Sequence, residues 1–103
     1  MKFRIIYITF PTIREAKKIA KILIKEKLVA CCNILPINSI YKWRGRIVEE
    51  KEVVMLVKTK AELVGKIIKR IKKLHSFEIP CIISLEIKEG NSEFLSWLSK
   101  IVK

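Results

Sequence analysis

Aspartate and glutamine are absent from this sequence, and glycine, proline and cysteine occur only three times each. With half of its residues hydrophobic and 31% charged, the chain is predicted to be a packed globular protein rather than a disordered one. An odd number of cysteines, two of them adjacent, does not make a disulfide framework and favours a reducing, cytoplasmic location. We find no basic-then-apolar leader and no run of about 18 apolar residues, so we expect neither a signal peptide nor a membrane span.

Motifs for catalysis are also missing. The chain has a single histidine, His75, and lacks a Gly-rich phosphate loop, an HExxH-type zinc motif and a legible nucleophile–base pair. We therefore predict a protein that is not an enzyme.

The formal net charge of +12 permits two interpretations. Such a charge is typical of a surface that binds nucleic acid or anionic lipid, and it also results from a compositional bias toward Lys, Ile and Glu. The lysines are scattered along predicted helix faces rather than grouped in a run, which favours the compositional bias and disfavours nucleic acid or a membrane as a partner. The length of 103 residues predicts a single domain spanning 1–103.

The stretch Ile40–Thr59 reads as a β-hairpin that reverses at Arg44-Gly45. A glycine there supplies the positive φ that a three- to five-residue hairpin loop needs. The second arm contains Val53–Val57, which has no polar break. A continuous apolar run of this kind is typical of a strand that is covered on both faces.

Two amphipathic helices are predicted, each after an apolar strand. The first strand is Phe3–Thr9, and the capping-box pattern Thr12–Glu15 then begins a helix that ends near Lys27. The same pattern in Thr59–Glu62 begins the second helix. The apolar faces consist of Ala16, Ile19, Ala20 and Leu23 in the first helix, and Leu63, Ile67, Ile71 and Leu74 in the second.

The remaining elements complete a small α+β plan. Val29–Tyr41 is predicted as a strand in which Pro36 indicates an edge or a bulge. Cys81–Ile87 is a fourth strand, and Asn91 or Ser92 caps a short final helix. The order β-α-β-β-α-β-α is the ferredoxin-like arrangement with an added C-terminal helix. Because three strands are apolar on both sides and a helix of about 12 residues spans only ~18 Å, we expect subunits to cover the second face of the sheet.

Soft metal ligands are few: Cys31, Cys32, Cys81 and His75. Thiolate and imidazole suit copper and zinc. Adjacent residues on a strand point to opposite faces, so Cys31 and Cys32 do not easily chelate one ion. The alternatives are core packing for each cysteine and, for His75, a cation at the C-terminal end of the second helix.

Two further groups carry alternative interpretations. Trp43, with Tyr41 on the same side of the strand, either stacks on a ligand or anchors the hairpin and an interface. The acidic residues Glu49, Glu50 and Glu52 either bind cations or pair with lysines of the same or a neighbouring chain.

Six segments together resemble the CutA divalent-cation tolerance family, in family order and over essentially the whole chain. They are Thr9–Pro11, Lys27–Asn33, Tyr41-x-Trp43-x-Gly45, Glu52–Thr59, Leu74–Pro80 and Phe94–Leu98. The resemblance implies a ferredoxin-like subunit in a tight homotrimer, in which long hairpin strands extend sheets between neighbours, as in PII-type signalling proteins. It also implies a role in tolerance of copper and other divalent metal ions.

The resemblance places the family's cysteine, asparagine and hallmark histidine at Cys31, Asn33 and His75. His75 and Cys31 are therefore the predicted metal-binding residues, with copper or another divalent metal as the ligand. The usual His-Pro-Tyr of the family is replaced here by His75-Ser-Phe77. Ile8 and Leu74 stand where some members carry a cysteine and a second histidine, so His75 alone remains of that trio.

Two rival functions are considered. A PII-like trimeric sensor would bind a small anion or nucleotide in clefts between subunits. An RNA-recognition module shares the β-α-β-β-α-β order, but it needs stacking aromatics on its central strands, where this chain has Val53–Val57.

Overall fold

The computed structural model describes all 103 residues. Four strands and three α-helices follow one another in the predicted order: β1 (Phe3–Phe10), α1 (Ile13–Lys25), β2 (Cys31–Trp43), β3 (Arg46–Lys60), α2 (Val64–Leu74), β4 (Ile82–Ile87) and α3 (Ser92–Ile101). A turn of 3₁₀ helix, Ala61–Leu63, precedes α2. The predicted α+β plan, with its long β2–β3 hairpin and added final helix, is confirmed for this chain.

The four strands form one antiparallel sheet in the order β2-β3-β1-β4. β2 is an edge strand, which explains how it accommodates Pro36 without losing an essential hydrogen bond. Residues 53–58 of β3 pair with β2 on one side and with β1 on the other, whereas Arg46–Glu52 pairs with β2 alone. The hairpin therefore extends beyond the sheet and has a free backbone edge along Arg46–Glu52.

The hairpin turn is shorter than predicted. Trp43 pairs with Arg46, so the loop consists only of Arg44 and Gly45, at φ 50° and 80°. Positive φ at both residues of a two-residue loop matches the right-handed twist of the flanking strands. The expected three- to five-residue loop is wrong because Arg44 itself adopts the left-handed conformation.

The main core lies between α1, α2 and one face of the sheet. Ile6, Ile8 and Phe10 alternate along β1 and are fully buried there, and the predicted α1 face is buried as well. Burial of each such apolar side chain stabilises the fold by about 1.5–3 kcal/mol. The predicted α2 face is also confirmed at Ile67 and Ile71.

Helix α3 covers part of the opposite face. Lys58 follows the core residue Val57 and so points away from α1 and α2, and its ammonium lies 5.9 Å from the centre of the Phe94 ring on α3. Val54, on that same face, is only 3% exposed. The apolar run in β3 thus finds most of its cover within the chain, and cover of the rest of this face by neighbouring subunits stays a prediction. The open apolar surface instead includes Ile83 on β4, which is 52% exposed.

Neither of the two predicted capping boxes forms completely in the structure. At α1 the Thr12 hydroxyl accepts from the Glu15 N–H at 3.2 Å, but the Glu15 carboxylate bonds elsewhere, so only half of the box forms. At the second helix there is no side-chain cap, because the Thr59 hydroxyl donates to the Leu28 carbonyl at 2.6 Å. A buried hydroxyl is used for a tertiary contact that the local pattern does not reveal.

Candidate metal-binding sites

His75 ends α2 and is buried, with 8% of its surface exposed. Its ring stacks on Phe10, with the ring centres 4.6 Å apart and the planes inclined by 13°. Phe77 packs on the same ring at 5.0 Å. The histidine is therefore held between the end of β1 and the loop after α2, on the face of the sheet that α1 and α2 cover.

Both ring nitrogens of His75 already have protein partners. Nε2 lies 2.7 Å from the Thr9 carbonyl oxygen, and the Phe77 N–H donates to Nδ1 at 3.0 Å. A carbonyl oxygen only accepts, so Nε2 carries the proton and Nδ1 is the acceptor. This is a neutral imidazole, and its geometry does not match the cation predicted as one alternative for the end of the helix.

Glu15 is the nearest carboxylate to His75, and the sequence did not identify it as part of this site. Its Oε2 lies 3.6 Å from Nδ1, beyond hydrogen-bonding distance. The carboxylate instead accepts from the Ser76 N–H at 3.0 Å and the Ser76 hydroxyl at 2.7 Å. Glu15 thereby fixes the loop after α2 to the first turn of α1.

We expect Glu15→Ala to lower the free energy of unfolding by about 1.5–3 kcal/mol, because hydrogen bonds to charged groups contribute that much. Urea denaturation followed by circular dichroism measures the change. The matched control is Glu26→Ala, which removes a surface ion pair with Arg70 (2.8 Å) and should lower the free energy of unfolding less than Glu15→Ala does. Equal losses in the two variants would contradict the role given to Glu15.

Cys31 lies at the start of β2, opposite Lys58 on β3. The Lys58 ammonium is 3.6 Å from the Cys31 sulfur and donates to the Asn33 side-chain oxygen at 2.6 Å. These three side chains share the face of the sheet that α3 partly covers. Lys58 was not predicted as a site residue, and its charge repels a cation approaching the Cys31 thiol.

The structure does not bring His75 and Cys31 together. They lie on opposite faces of the sheet. The Thr9 carbonyl contacts His75, and Thr9 pairs with Val54 on β3. Cys31 pairs with Lys58, which lies four residues, or ~13 Å, further along β3 than Val54. No group of three or more His, Cys or Glu side chains is placed to hold a metal ion.

The other two cysteines differ in exposure. Burial, with a contribution from the neighbouring Cys31, raises the pKa of Cys32 to about 12, so this thiol stays protonated at neutral pH. Cys81 is exposed, and its pKa is raised by partial burial and by the charge of Glu52. A protonated thiol is a poor metal ligand.

The hairpin and the loop before β4 border an open cavity of about 900 Å³. The side chains of Trp43, Phe77 and Cys81 line it together with Glu50 and Glu52. The Tyr41 hydroxyl donates to the Glu50 carboxylate, which raises the pKa of the phenol to about 12. Trp43 also stacks against the guanidinium of Arg44, 5.6 Å from the ring centre.

Comparison with known proteins identifies the family. The family model described as "CutA1 divalent ion tolerance protein" matches residues 4–101. This chain belongs to the CutA1 family. The CutA protein of Thermus thermophilus is 45% identical over 91% of this chain and 92% of its own length, and that of Archaeoglobus fulgidus is 43% identical over 95% and 96%. Both are named "Divalent-cation tolerance protein CutA".

A solved structure of a CutA1 relative has the same fold. The structure titled "Periplasmic divalent cation tolerance protein CutA from Archaeoglobus fulgidus" superposes with a TM-score of 0.96 at 42% identity, covering 98% of this chain and 99% of that one. The resemblance inferred from six segments is therefore confirmed. In the present CutA1 chain no helix has the length and apolar character needed to cross a membrane.

Proposed function

We propose that this CutA1 chain is a divalent-cation tolerance protein, a single domain that assembles as a homotrimer, binds copper or another divalent metal weakly and has no catalytic activity. The observation that carries the proposal is the family match over residues 4–101, together with relatives at 43–45% identity that bear the tolerance name. Three free cysteines favour a cytoplasmic location for this chain, although the Archaeoglobus structure is titled periplasmic.

The absence of catalytic activity is supported by the surroundings of the histidine. Ser76 is the only hydroxyl-bearing residue adjacent to His75 in the chain, and its hydroxyl donates to Glu15 rather than to an imidazole nitrogen. A nucleophile needs a base within hydrogen-bonding reach. Glu15 also accepts from the Ser76 N–H, so its contacts are those of a carboxylate that holds the loop after α2 in place.

Metal binding is proposed at His75 and at Cys31 as two separate and weak sites. A metal at His75 has to displace either the Phe77 N–H from Nδ1 or the Thr9 carbonyl from Nε2. A metal at Cys31 has to displace the ammonium of Lys58. Each event breaks an existing contact, and Glu15, the carboxylate nearest to His75, is already bound to Ser76, which accounts for low affinity.

Isothermal titration of the reduced protein with Cu(II) tests the metal sites. We expect His75→Ala and Cys31→Ser each to remove part of the binding heat, and Lys58→Met to strengthen binding because it removes a positive charge beside the Cys31 sulfur. Cys81→Ser is the control, since it removes an exposed thiol that is not assigned to a site. The assignment fails if the His75 and Cys31 variants give the wild-type isotherm.

A His75→Ala variant could also lose binding through misfolding, because the ring is packed between Phe10 and Phe77. His75→Phe is the second variant, since it keeps an aromatic ring in that position and removes both nitrogens. Thermal melting of both variants establishes that the fold is intact before titration. Loss of Cu(II) binding in His75→Phe with a folded protein supports the site.

Assembly is proposed to involve the part of the hairpin that extends beyond the sheet. Its free strand edge, Arg46–Glu52, can pair with a strand of another subunit. Ile40 and Ile47 are 66% and 79% exposed, and both lie on one face of the hairpin, since Ile47 pairs with Lys42. Apolar side chains of this size on an unpaired edge are typical of an interface.

A further inference from the structure

The structure concentrates positive charge on the helical layer. Five of the 22 Lys and Arg residues lie on α1 and five on α2, and these two helices contain a single Glu. The basic residues are Arg14, Lys17, Lys18, Lys21 and Lys25 on α1, and Lys66, Lys69, Arg70, Lys72 and Lys73 on α2. The one Glu, Glu15, is already bound to Ser76. Scattered positions in the sequence thus become one basic surface in the fold.

Within this surface, α2 borders a groove of about 460 Å³. Eight residues line it, and six of them are basic: Lys66, Lys69, Arg70, Lys72, Lys73 and Lys103. The other two are Glu26 and the buried Leu28. We call this the α2 groove.

The one carboxylate side chain in the α2 groove is already paired with a cation. Arg70 donates two hydrogen bonds to Oε2 and one to Oε1 of Glu26, at 2.8–3.2 Å. This bidentate contact, with further help from the charge of Lys103, holds the pKa of Glu26 below its usual range. Lys66, Lys69, Lys72, Lys73 and Lys103 remain without a carboxylate partner among the salt bridges of the chain.

The spacing of these lysines works against the stability of α2. Lys69 and Lys73 are four residues apart and Lys66 and Lys69 three apart, so like charges are neighbours on the helix surface. Lys66 and Lys73 are separated by ~10 Å along the axis. A single phosphate reaches only part of this row, whereas a chain of linked phosphates can follow it.

We propose that the α2 groove binds inorganic polyphosphate, a linear polyanion without bases or acyl chains. The exposed aromatic residues Tyr41, Trp43, Phe94 and Trp97 lie on the hairpin and α3, so none borders the groove to stack on a base. Anionic membranes are bound by helices that also expose large apolar residues, and the only apolar lining residue here, Leu28, is buried.

This inference is independent of the metal sites and of the trimer. It is tested by titrating the protein into fluorescently labelled polyphosphate and measuring anisotropy at rising NaCl. We expect binding that weakens more than ten-fold between about 50 and 200 mM salt, as contacts to several phosphates require. The variant Lys66→Glu/Lys69→Glu/Lys73→Glu should bind at least ten-fold more weakly at low salt.

The matched control is Lys17→Glu/Lys18→Glu/Lys21→Glu on α1, which makes the same change in net charge outside the groove. Its affinity should stay within about three-fold of the wild type, and circular dichroism establishes that both variants are folded. Equal losses of affinity in the two variants would show that binding depends on net charge alone, and this would overturn the site. Tighter binding to duplex DNA or to anionic vesicles than to polyphosphate, or no binding at all, would overturn the choice of ligand.

Discussion

Replacement of Met55 by aspartate is expected to unfold the protein, with a loss of at least about 4 kcal/mol of the free energy of unfolding. Met55 lies in the middle of β3 between Ile8 and Ile34, and its side chain is fully buried in the core shared with α1 and α2. An unpaired carboxylate there has no hydrogen-bond donor to replace water. A loss of this size is comparable to the whole stability of many small domains.

Met55→Leu is the control for that substitution. It conserves volume and apolar character, so we expect a loss below about 1.5 kcal/mol. Circular dichroism and urea denaturation distinguish the two variants. A Met55→Asp protein that melts cooperatively near the wild-type temperature would show that the side chain is not enclosed as the structure has it.

Substitution of glutamate for both Ile40 and Ile47 is expected to separate the proposed trimer while leaving the chain folded. Light scattering should report a mass of about 12 kDa instead of about 36 kDa, three times the chain mass of 12.0 kDa. Both side chains are exposed in the single chain, so the fold loses little from their replacement. At an interface, loss of about 3 kcal/mol of apolar burial weakens association more than a hundred-fold.

Lys42→Glu is the matched control for the hairpin. Lys42 faces Ile47 across the two strands, and its replacement changes the net charge by the same two units without removing an apolar side chain. We expect this variant to remain trimeric. A wild-type protein that is monomeric in solution would refute the proposed assembly, and dissociation of the Lys42 variant would attribute the effect to charge.

The fold could be predicted from the sequence because each element carries its own periodic signal. Ala16, Ile19, Ala20 and Leu23 recur at helical spacing, and all four are buried. β-branched runs between turn signals predict the strands in the same way. The order of the elements then restricts the topology to very few arrangements.

The errors in the fold arise where a tertiary contact competes with a local pattern. Glu15 and Thr59 both occupy capping-box positions, yet Glu15 binds Ser76 and Thr59 binds the Leu28 carbonyl. Neither partner is near in sequence, so the spacing of the residues in the capping-box pattern does not predict these contacts. The turn has a different cause, since Arg44 is a non-glycine residue with positive φ, which is uncommon.

For the candidate sites, the sequence predicts which residues are potential ligands but not what surrounds them in the fold. The sequence identifies His75 and Cys31 as potential ligands, but the engagement of both His75 nitrogens depends on where Thr9 and Phe77 lie in the fold. The cross-strand partner of Cys31 depends on the length of the hairpin loop, which the sequence analysis expected to be three to five residues. A two-residue turn at Arg44-Gly45 fixes the register of the whole hairpin and pairs Cys31 with Lys58.

The position of β1 in the sheet has a consequence for biosynthesis. β1 is made first, yet its two neighbours are β3 and β4, and its last partner, Ile87, is translated more than 80 residues after Phe3. At ~5–20 residues per second, the ribosome needs several seconds to supply β4 after β1 has emerged. During that interval β1 (Phe3–Phe10) has at least one unpaired edge on the nascent chain, because only β3 can pair with it before β4 is made. Co-translational folding of this protein is therefore expected to begin with the local β2–β3 hairpin and to end with the closure of β4 onto β1.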